Sequence, residues 1–262
     1  MIELYKLYKG EVTLQYEDIK HRYSVDDKTV YGVTSIINVL SKPALMYWAV
    51  NMAIGHLEMN LKPGVALDEV QIADLLKEAK LAHRKKKDKA ADTGTMIHEW
   101  LEKFLLAGIN GNEIPKLPVN KEMRNAIDSF LEWTKENKVV FRLSEQKIYS
   151  REHGFAGTLD AEGMVNGKRT IIDFKTSNAL YPEMFLQAAA YLKAREEETG
   201  KEYDGGIQIL RLSKENKQKE VKSFEVKSVE RKDLDQLYKV FLSCLEVYRW
   251  RMENKRKELL NK

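Results

Sequence analysis

Two carboxylates and one ammonium are set to converge in the stretch from Gly154 to Lys175, GFAGTLDAEGMVNGKRTIIDFK. Asn166-Gly167 is the dipeptide that most strongly favours a two-residue type I′ turn, and the flanking runs Thr158–Val165 and Lys168–Lys175 read as an antiparallel hairpin. With Asn166 and Gly167 as the loop, Val165 faces Lys168, and counting outward sets Asp160 opposite Asp173 with Lys175 on the same face. Directly opposed side chains have Cβ atoms about 5 Å apart, and like charges at that spacing destabilise a sheet unless a cation lies between them. A divalent metal is the obvious cation. The plain alternative is a surface hairpin whose acids are merely solvated. Leu159, Ala161, Ile172 and Phe174 are expected to point the other way, onto a core.

Other polar side chains recur at helical spacing. His98 and Glu102 are four apart and share one face of a helix that Asp92 or Thr93 caps and that runs to about Leu106. Gln187 and Tyr191 share a face of a helix that Pro182 opens and that continues to about Glu197. A lone helical histidine is more often structural than a ligand, and a core tyrosine with a satisfied hydroxyl is as common as a functional one. Glu145, on a strand from Val139 to Ser150, is unremarkable by itself. Lys80, His83, Arg84, Lys85, Lys86, Lys87 and Lys89 crowd the chain before His98, as either a phosphate-contacting stretch or a solvated helix end.

Asp160 followed by Asp173-Phe174-Lys175 resembles the signature of the PD-(D/E)XK nucleases, and Gly154-Phe-Ala-Gly-Thr-Leu-Asp160 resembles their RecB-like branch. Gly94-Thr95-Met-Ile-His98-Glu-Trp-Leu-Glu102 is similar to the GTxxHxxxE helix of that branch, and Gln187-Ala-Ala-Ala-Tyr191 to its QxxxY helix. The segment VTSIINVLSKPALMYWA is more loosely similar to the entry region of stand-alone RecB-like exonucleases, the group of the mitochondrial genome maintenance exonuclease and its phage relatives.

The resemblance implies a restriction-endonuclease-like α/β core, a mixed central sheet flanked by helices, and a deoxyribonuclease that hydrolyses phosphodiester bonds with Mg²⁺ or Mn²⁺. It makes His98, Asp160, Asp173 and the backbone carbonyl of Phe174 the metal ligands, with Glu102 and Glu145 in secondary roles. Lys175 would orient the attacking water and stabilise charge, or act as a base if deprotonated; Gln187 and Tyr191 would brace it or contact a phosphate. Single-stranded DNA ends are the expected substrate, in replication, repair or recombination, with proteins of those processes as potential partners. Arg84, Lys85, Lys86 and Lys87 would contact phosphates, and Tyr47 and Trp48 would stack along the strand's path. Endonuclease action and a non-catalytic nucleic-acid binding module remain open.

With 262 residues and 43% hydrophobic content the chain can bury a real core. A net charge of +4 suits a polyanionic partner without demanding one. Cys244 is the only cysteine, so neither a disulfide framework nor a cysteine-held iron–sulfur cluster or zinc site is expected. There is no GxxxxGK[ST] phosphate loop, hence no expected ATP use. No run of eighteen apolar residues occurs and MIELYKLYKG lacks a signal-peptide core, so a soluble cytoplasmic protein, of bacterial or phage origin for instance, without membrane association is expected.

These patterns imply a single domain: an N-terminal elaboration over 1–91, a core over 92–212 with a helical insertion at 108–137, and a C-terminal strand and helix over 213–262. The elaboration should hold two or three strands from Glu11 to Val33 turning near Asp26-Asp27, and a short helix capped by Thr34 or Ser35. A helix from Pro43 to Asn60 and another from Leu67 toward Lys89 follow, separated by Lys62-Pro63-Gly64. After a loop at Gly108–Pro118, an amphipathic helix containing Met123 should run to about Asn137. Ile207–Leu212 and Glu220–Val226 read as strands joined by a charged hairpin, and Lys232–Leu260 as one long helix.

Overall fold

The computed structural model describes residues 2–214 and 224–260. Four strands open the chain: β1 Ile2–Leu7, β2 Val12–Glu17, β3 Arg22–Val25 and β4 Lys28–Gly32. The turn between β3 and β4 falls at Asp26-Asp27 as expected, both in the left-handed region (φ 49° and 58°) that a type I′ turn needs. β1 is a strand that the sequence pattern does not announce; its exposed Ile2 and Leu4 give it no apolar alternation against a core.

Helix α1 Val33–Ile37 follows, with Gly32 at its N-cap and no side-chain cap from Thr34 or Ser35. Then come α2 Pro43–Asn60, with Pro43 in its first turn as expected, and α3 Glu69–Asn110. The expected helix start at Asp92 or Thr93 does not exist. α3 runs through that point, and the Thr93 hydroxyl donates back to the Lys89 carbonyl (3.1 Å) in place of capping.

The remaining elements are α4 Lys121–Glu136, β5 Val140–Ser150, β6 Phe155–Val165, β7 Lys168–Lys175, α5 Pro182–Thr199, β8 Ile207–Leu212, β9 Phe224–Val229 and α6 Arg231–Leu260. Of the expected 220–226 strand, residues 220–223 and the charged hairpin before them lie outside the described residues.

The chain divides into two compact units, Ser41–Met96 and the remainder. Within the first of these, Trp48 meets His83 edge-on (6.4 Å between centroids) and His56 lies 3.5 Å from Glu78.

The larger unit is built on a mixed sheet ordered β1-β2-β3-β4-β6-β7-β8-β9, with β5 pairing β6. β4 with β6 and β7 with β8 are parallel; the other pairs are antiparallel. One face carries a cluster formed with α1, α5 and α6, including Phe155, Leu159, Ile171, Tyr191, Ile209 and Phe241. The opposite face packs the end of α3 and all of α4 through Ile97, Trp100, Phe130, Trp133, Ile172 and Phe174. Phe130, fully buried, meets Phe104, Phe141 and Phe174. Each such ring contributes about 1.5–3 kcal/mol of burial, enough to fix the backbone of β7 where Phe174 anchors it.

Candidate metal centre

Val165 does face Lys168, and the ladder holds that register out to Ala161 opposite Ile172. Asn166 and Gly167 have the positive φ of the turn (48° and 81°). One step further out the strands part. β6 continues between β5 and β4 while β7 pairs β8, and in the opening the Asp160 carboxylate accepts a hydrogen bond from the Phe174 backbone N–H (2.7 Å). Asp160 therefore bridges the two strands where the ladder stops. Phe174 is fixed on both sides, by this bond and by its ring in the opposite core.

A second irregularity sits beside it. Ser144 pairs with Ala161 and Gln146 with Leu159, so Glu145 and Asp160 stand between two ladder pairs of one register, yet are not themselves a pair. Glu145 has φ 48°, a left-handed conformation that a long side chain adopts only where its surroundings impose it. The alternation along β6 changes phase here: Leu159 belongs to the α5 face and Ala161 to the α4 face. The expectation that both point the same way is thus corrected, because the backbone is not a regular pleat at Asp160.

The kink gathers ligands. His98, Glu145 and Asp160 each offer an atom within 4.8 Å of the others, with His98 Nδ1 3.9 Å from Asp160 Oδ1. Burial, and then the Asp160 charge, push the Glu145 carboxyl up to about 8, against the pull of Lys147. Lys147 itself lies over the Tyr16 ring (4.7 Å) and the Tyr5 ring (5.5 Å).

Asp173 is 2% exposed and carries its own cation. The Lys175 ammonium donates to Asp173 Oδ1 (2.9 Å) and lies 2.7 Å from Oδ2, which is buried without a hydrogen bond of its own. Burial pushes Asp173 up to about 6, with Lys175 opposing and Asp160 reinforcing the rise. Burial alone would lower the Lys175 pKa, but Asp173 and Asp160 outweigh it and hold it above the ordinary range. Lys175 is therefore a charged group here.

Lys175 also donates to Gln187 Oε1 (2.9 Å), and the Gln187 amide nitrogen donates to the Tyr191 hydroxyl (2.9 Å) and the Thr34 hydroxyl (3.2 Å). The i, i+4 pair on α5 thus acts as one bracket behind Lys175. Gly157 makes room for it: a Cβ there would lie 2.6 Å from Tyr191 Cε1. Burial, then Asp173 and Asp160, raise the Tyr191 hydroxyl well above its ordinary value, so it stays protonated.

Glu102 lies one turn beyond His98 on α3, half-buried and outside the three-residue cluster. Arg84, Lys85, Lys86 and Lys87 are exposed on α3, and Tyr47 (exposed) and Trp48 (half-buried) are on α2; all six belong to the Ser41–Met96 unit. Sequence reasoning gives Glu145 only a secondary place, takes Thr34 as a helix cap and Gly157 as part of a motif without a site role for either, and passes over Lys147. Glu145 carries no local signal, because its backbone conformation is imposed by the strands around it.

The donors fit a hard divalent cation: carboxylate oxygens from Glu145 and Asp160, one imidazole nitrogen, and beside them the buried Asp173 Oδ2 lacking a hydrogen bond. No protein-family model and no curated protein sequence matches the chain. Among solved structures, it is similar to an alkaline exonuclease, LHK-Exo, from Laribacter hongkongensis, with 13% identity over 62% of this chain and 85% of that one, at a TM-score of 0.31. The complex of LHK-Exo with dAMP gives 15% identity over the same shares and a TM-score of 0.32. Likenesses of this size carry no assignment.

Proposed function

We propose that the chain is a metal-dependent DNA nuclease of the PD-(D/E)XK class, a RecB-like exonuclease acting on single-stranded ends with Mg²⁺ or Mn²⁺. One observation carries the reading: the acid cluster of His98, Glu145 and Asp160 stands beside an Asp173–Lys175 pair whose ammonium a second helix holds through Gln187. A structural ion pair needs no such bracket, and a merely solvated hairpin would not bury Asp173.

Phosphodiester hydrolysis needs a nucleophile, relief of the phosphate's negative charge and stabilisation of the leaving oxygen. A divalent ion held by Asp160, Glu145 and His98, with Asp173 adjacent, supplies Lewis acidity and an activated water when bound. The chain's own groups do the rest. Lys175 aligns the attacking water through one N–H while its charge offsets the charge that builds on the phosphoryl oxygens. Gln187, itself held by Tyr191 and Thr34, fixes that ammonium in place beside Asp173. Phe174 keeps Asp173 and Lys175 on the site face. Arg84, Lys85, Lys86 and Lys87 supply phosphate contacts to the strand, and Tyr47 and Trp48 stacking surfaces for its bases.

The test is cleavage of matched linear and circular single strands with Mg²⁺, with Mn²⁺ and in EDTA. Degradation of the linear strand alone, lost in EDTA, is expected. Cutting of the circle would make the enzyme an endonuclease, and binding without turnover in either metal would make it a binding module.

A further inference from the structure

A polar cavity of about 230 Å³ opens directly beyond Lys175, lined by Thr176, Ser177, Asn178, Arg211, Ser213 and Lys214 with Leu212. β7 and β8 are parallel neighbours with Lys175 opposite Arg211, so the cavity lies outside the carboxyl ends of two adjacent parallel strands. That is where open α/β sheets bind ligands, because the chain diverges there into loops. Two cations and no acid are among its lining residues. The nearby Glu225 carboxylate accepts from Arg211 Nε (2.8 Å), and the guanidinium has four further N–H donors on its terminal nitrogens. Ser177 spends its hydroxyl proton on the Ala179 carbonyl (2.7 Å), so Arg211, with the Asn178 amide and the Thr176 hydroxyl, carries the donors suited to an acceptor-only ligand, and Lys214 adds positive charge to the wall. Asn125 bonds the Lys214 carbonyl (3.0 Å), tying that end of the wall to α4.

We propose that this cavity binds a phosphate group of the nucleic-acid strand, the one next to the phosphate held at Lys175. The assignment rests on the nuclease reading for its substrate and on the cavity's own chemistry for the phosphate. Thr176 follows Lys175 directly in the chain and lines the cavity, so the cavity adjoins the Lys175 end of β7, as a site for a neighbouring phosphate of one strand must. A phosphate there fixes the register of the strand without reading sequence, which suits an enzyme that must accept any base.

Isothermal titration of the full chain in EDTA with thymidine 3′,5′-bisphosphate, thymidine 5′-monophosphate and thymidine separates binding from turnover. The bisphosphate should bind more tightly than the monophosphate, as expected for a strand rather than a free product, and thymidine should not bind. Arg211→Gln should weaken the bisphosphate about tenfold or more, as loss of a charge-assisted bond does. Lys214→Gln should weaken it less. Glu225→Gln, which removes the ion pair and keeps Arg211, should bind at least as well as wild type. Equal weakening in Glu225→Gln and Arg211→Gln, or equal binding of thymidine, would overturn the phosphate site. In cleavage assays Arg211→Gln should raise KM and leave kcat within about threefold. Wild-type cleavage with an unchanged KM in Arg211→Gln sinks the cavity and leaves the nuclease reading intact. Bisphosphate binding that depends on Arg211 in a chain that cleaves nothing does the reverse.

Discussion

Glu145 and Asp160 face each other between the ladder pairs Ser144–Ala161 and Gln146–Leu159, and with His98 they bring three ligand atoms within 4.8 Å. Asp173, which the hairpin count sets opposite Asp160, has instead the Lys175 ammonium at 2.7 Å. The costly pairing of like charges is therefore between Glu145 and Asp160.

A pH dependence follows for the metal-free protein. Glu145 titrates near 8 when folded against an ordinary 4.5, and Asp173 near 6 against 3.8, so both bind protons more tightly in the folded state. Their contribution is fully present below the unfolded values and is lost as pH rises, through 6 for Asp173 and 8 for Glu145. Urea melts in EDTA should show stability falling by on the order of a few kcal/mol from about pH 4 to about pH 9. Glu145→Gln should flatten the upper part of that slope and be the more stable protein at about pH 8, while gaining less from added Mn²⁺ than wild type does. A wild-type curve that rises over that range would contradict the arrangement.

Asp173→Asn should behave differently from Glu145→Gln. It takes a charged partner from a buried ammonium, so the variant should lose about 1–3 kcal/mol of stability in EDTA as well as cleavage. Lys175→Ala should cut kcat by about a hundredfold or more with an unchanged fold, read by single-turnover cleavage and circular dichroism. Cleavage at the wild-type rate by either variant would remove the pair from the mechanism.

Gly157→Ala tests the bracket from outside the site. The added methyl meets Tyr191 at 2.6 Å, and the ring can move only by shifting Gln187, which bonds both Tyr191 and Lys175. The variant should lose about 1–3 kcal/mol and about tenfold or more in kcat, with KM little changed. Adding Tyr191→Leu should restore part of the stability and none of the rate. Full activity in the single variant would show that Tyr191 is only packing.

Replacing Lys85, Lys86 and Lys87 with Ala should weaken binding to all single-stranded sequences alike. The slope of log K against log salt should flatten by about 0.7 for each phosphate that the variant no longer neutralises. An unchanged slope in fluorescence-anisotropy titrations would make the run a solvated face.

The hairpin was legible because Asn166-Gly167 sets its register locally, and α2 because Pro43 marks its first turn. α3 was misread at Asp92-Thr93-Gly94. Those residues have the composition of a helix start, but the helix continues into the buried Ile97, Trp100 and Leu101. Counting along the strands singles out Asp160 and Asp173 but not their relation, because the ladder ends at Ala161 and Ile172, one step before they would pair. The centrality of Glu145 could not, since its left-handed backbone and the phase change between Leu159 and Ala161 arise from strands that meet only in the fold.

The two short parallel pairs that join β4 to β6, Tyr31 with Phe155 and Gly32 with Ala156, also bear on how the chain folds. They are backed by a hydrogen bond between the Tyr23 and Thr158 hydroxyls, 135 residues apart. β1 to β4 can form from neighbouring residues as a meander, and β6–β7 as a hairpin, each closing a small loop, whereas docking one on the other must wait for the long intervening segment to be ordered. The seam should therefore close late, with φ-values near zero at Tyr23 and Thr158 and higher ones around Asn166-Gly167. During synthesis the inner face of the meander, Leu14 and Tyr16 among its residues, emerges before the strand that covers it, a window in which a holdase chaperone should engage the chain.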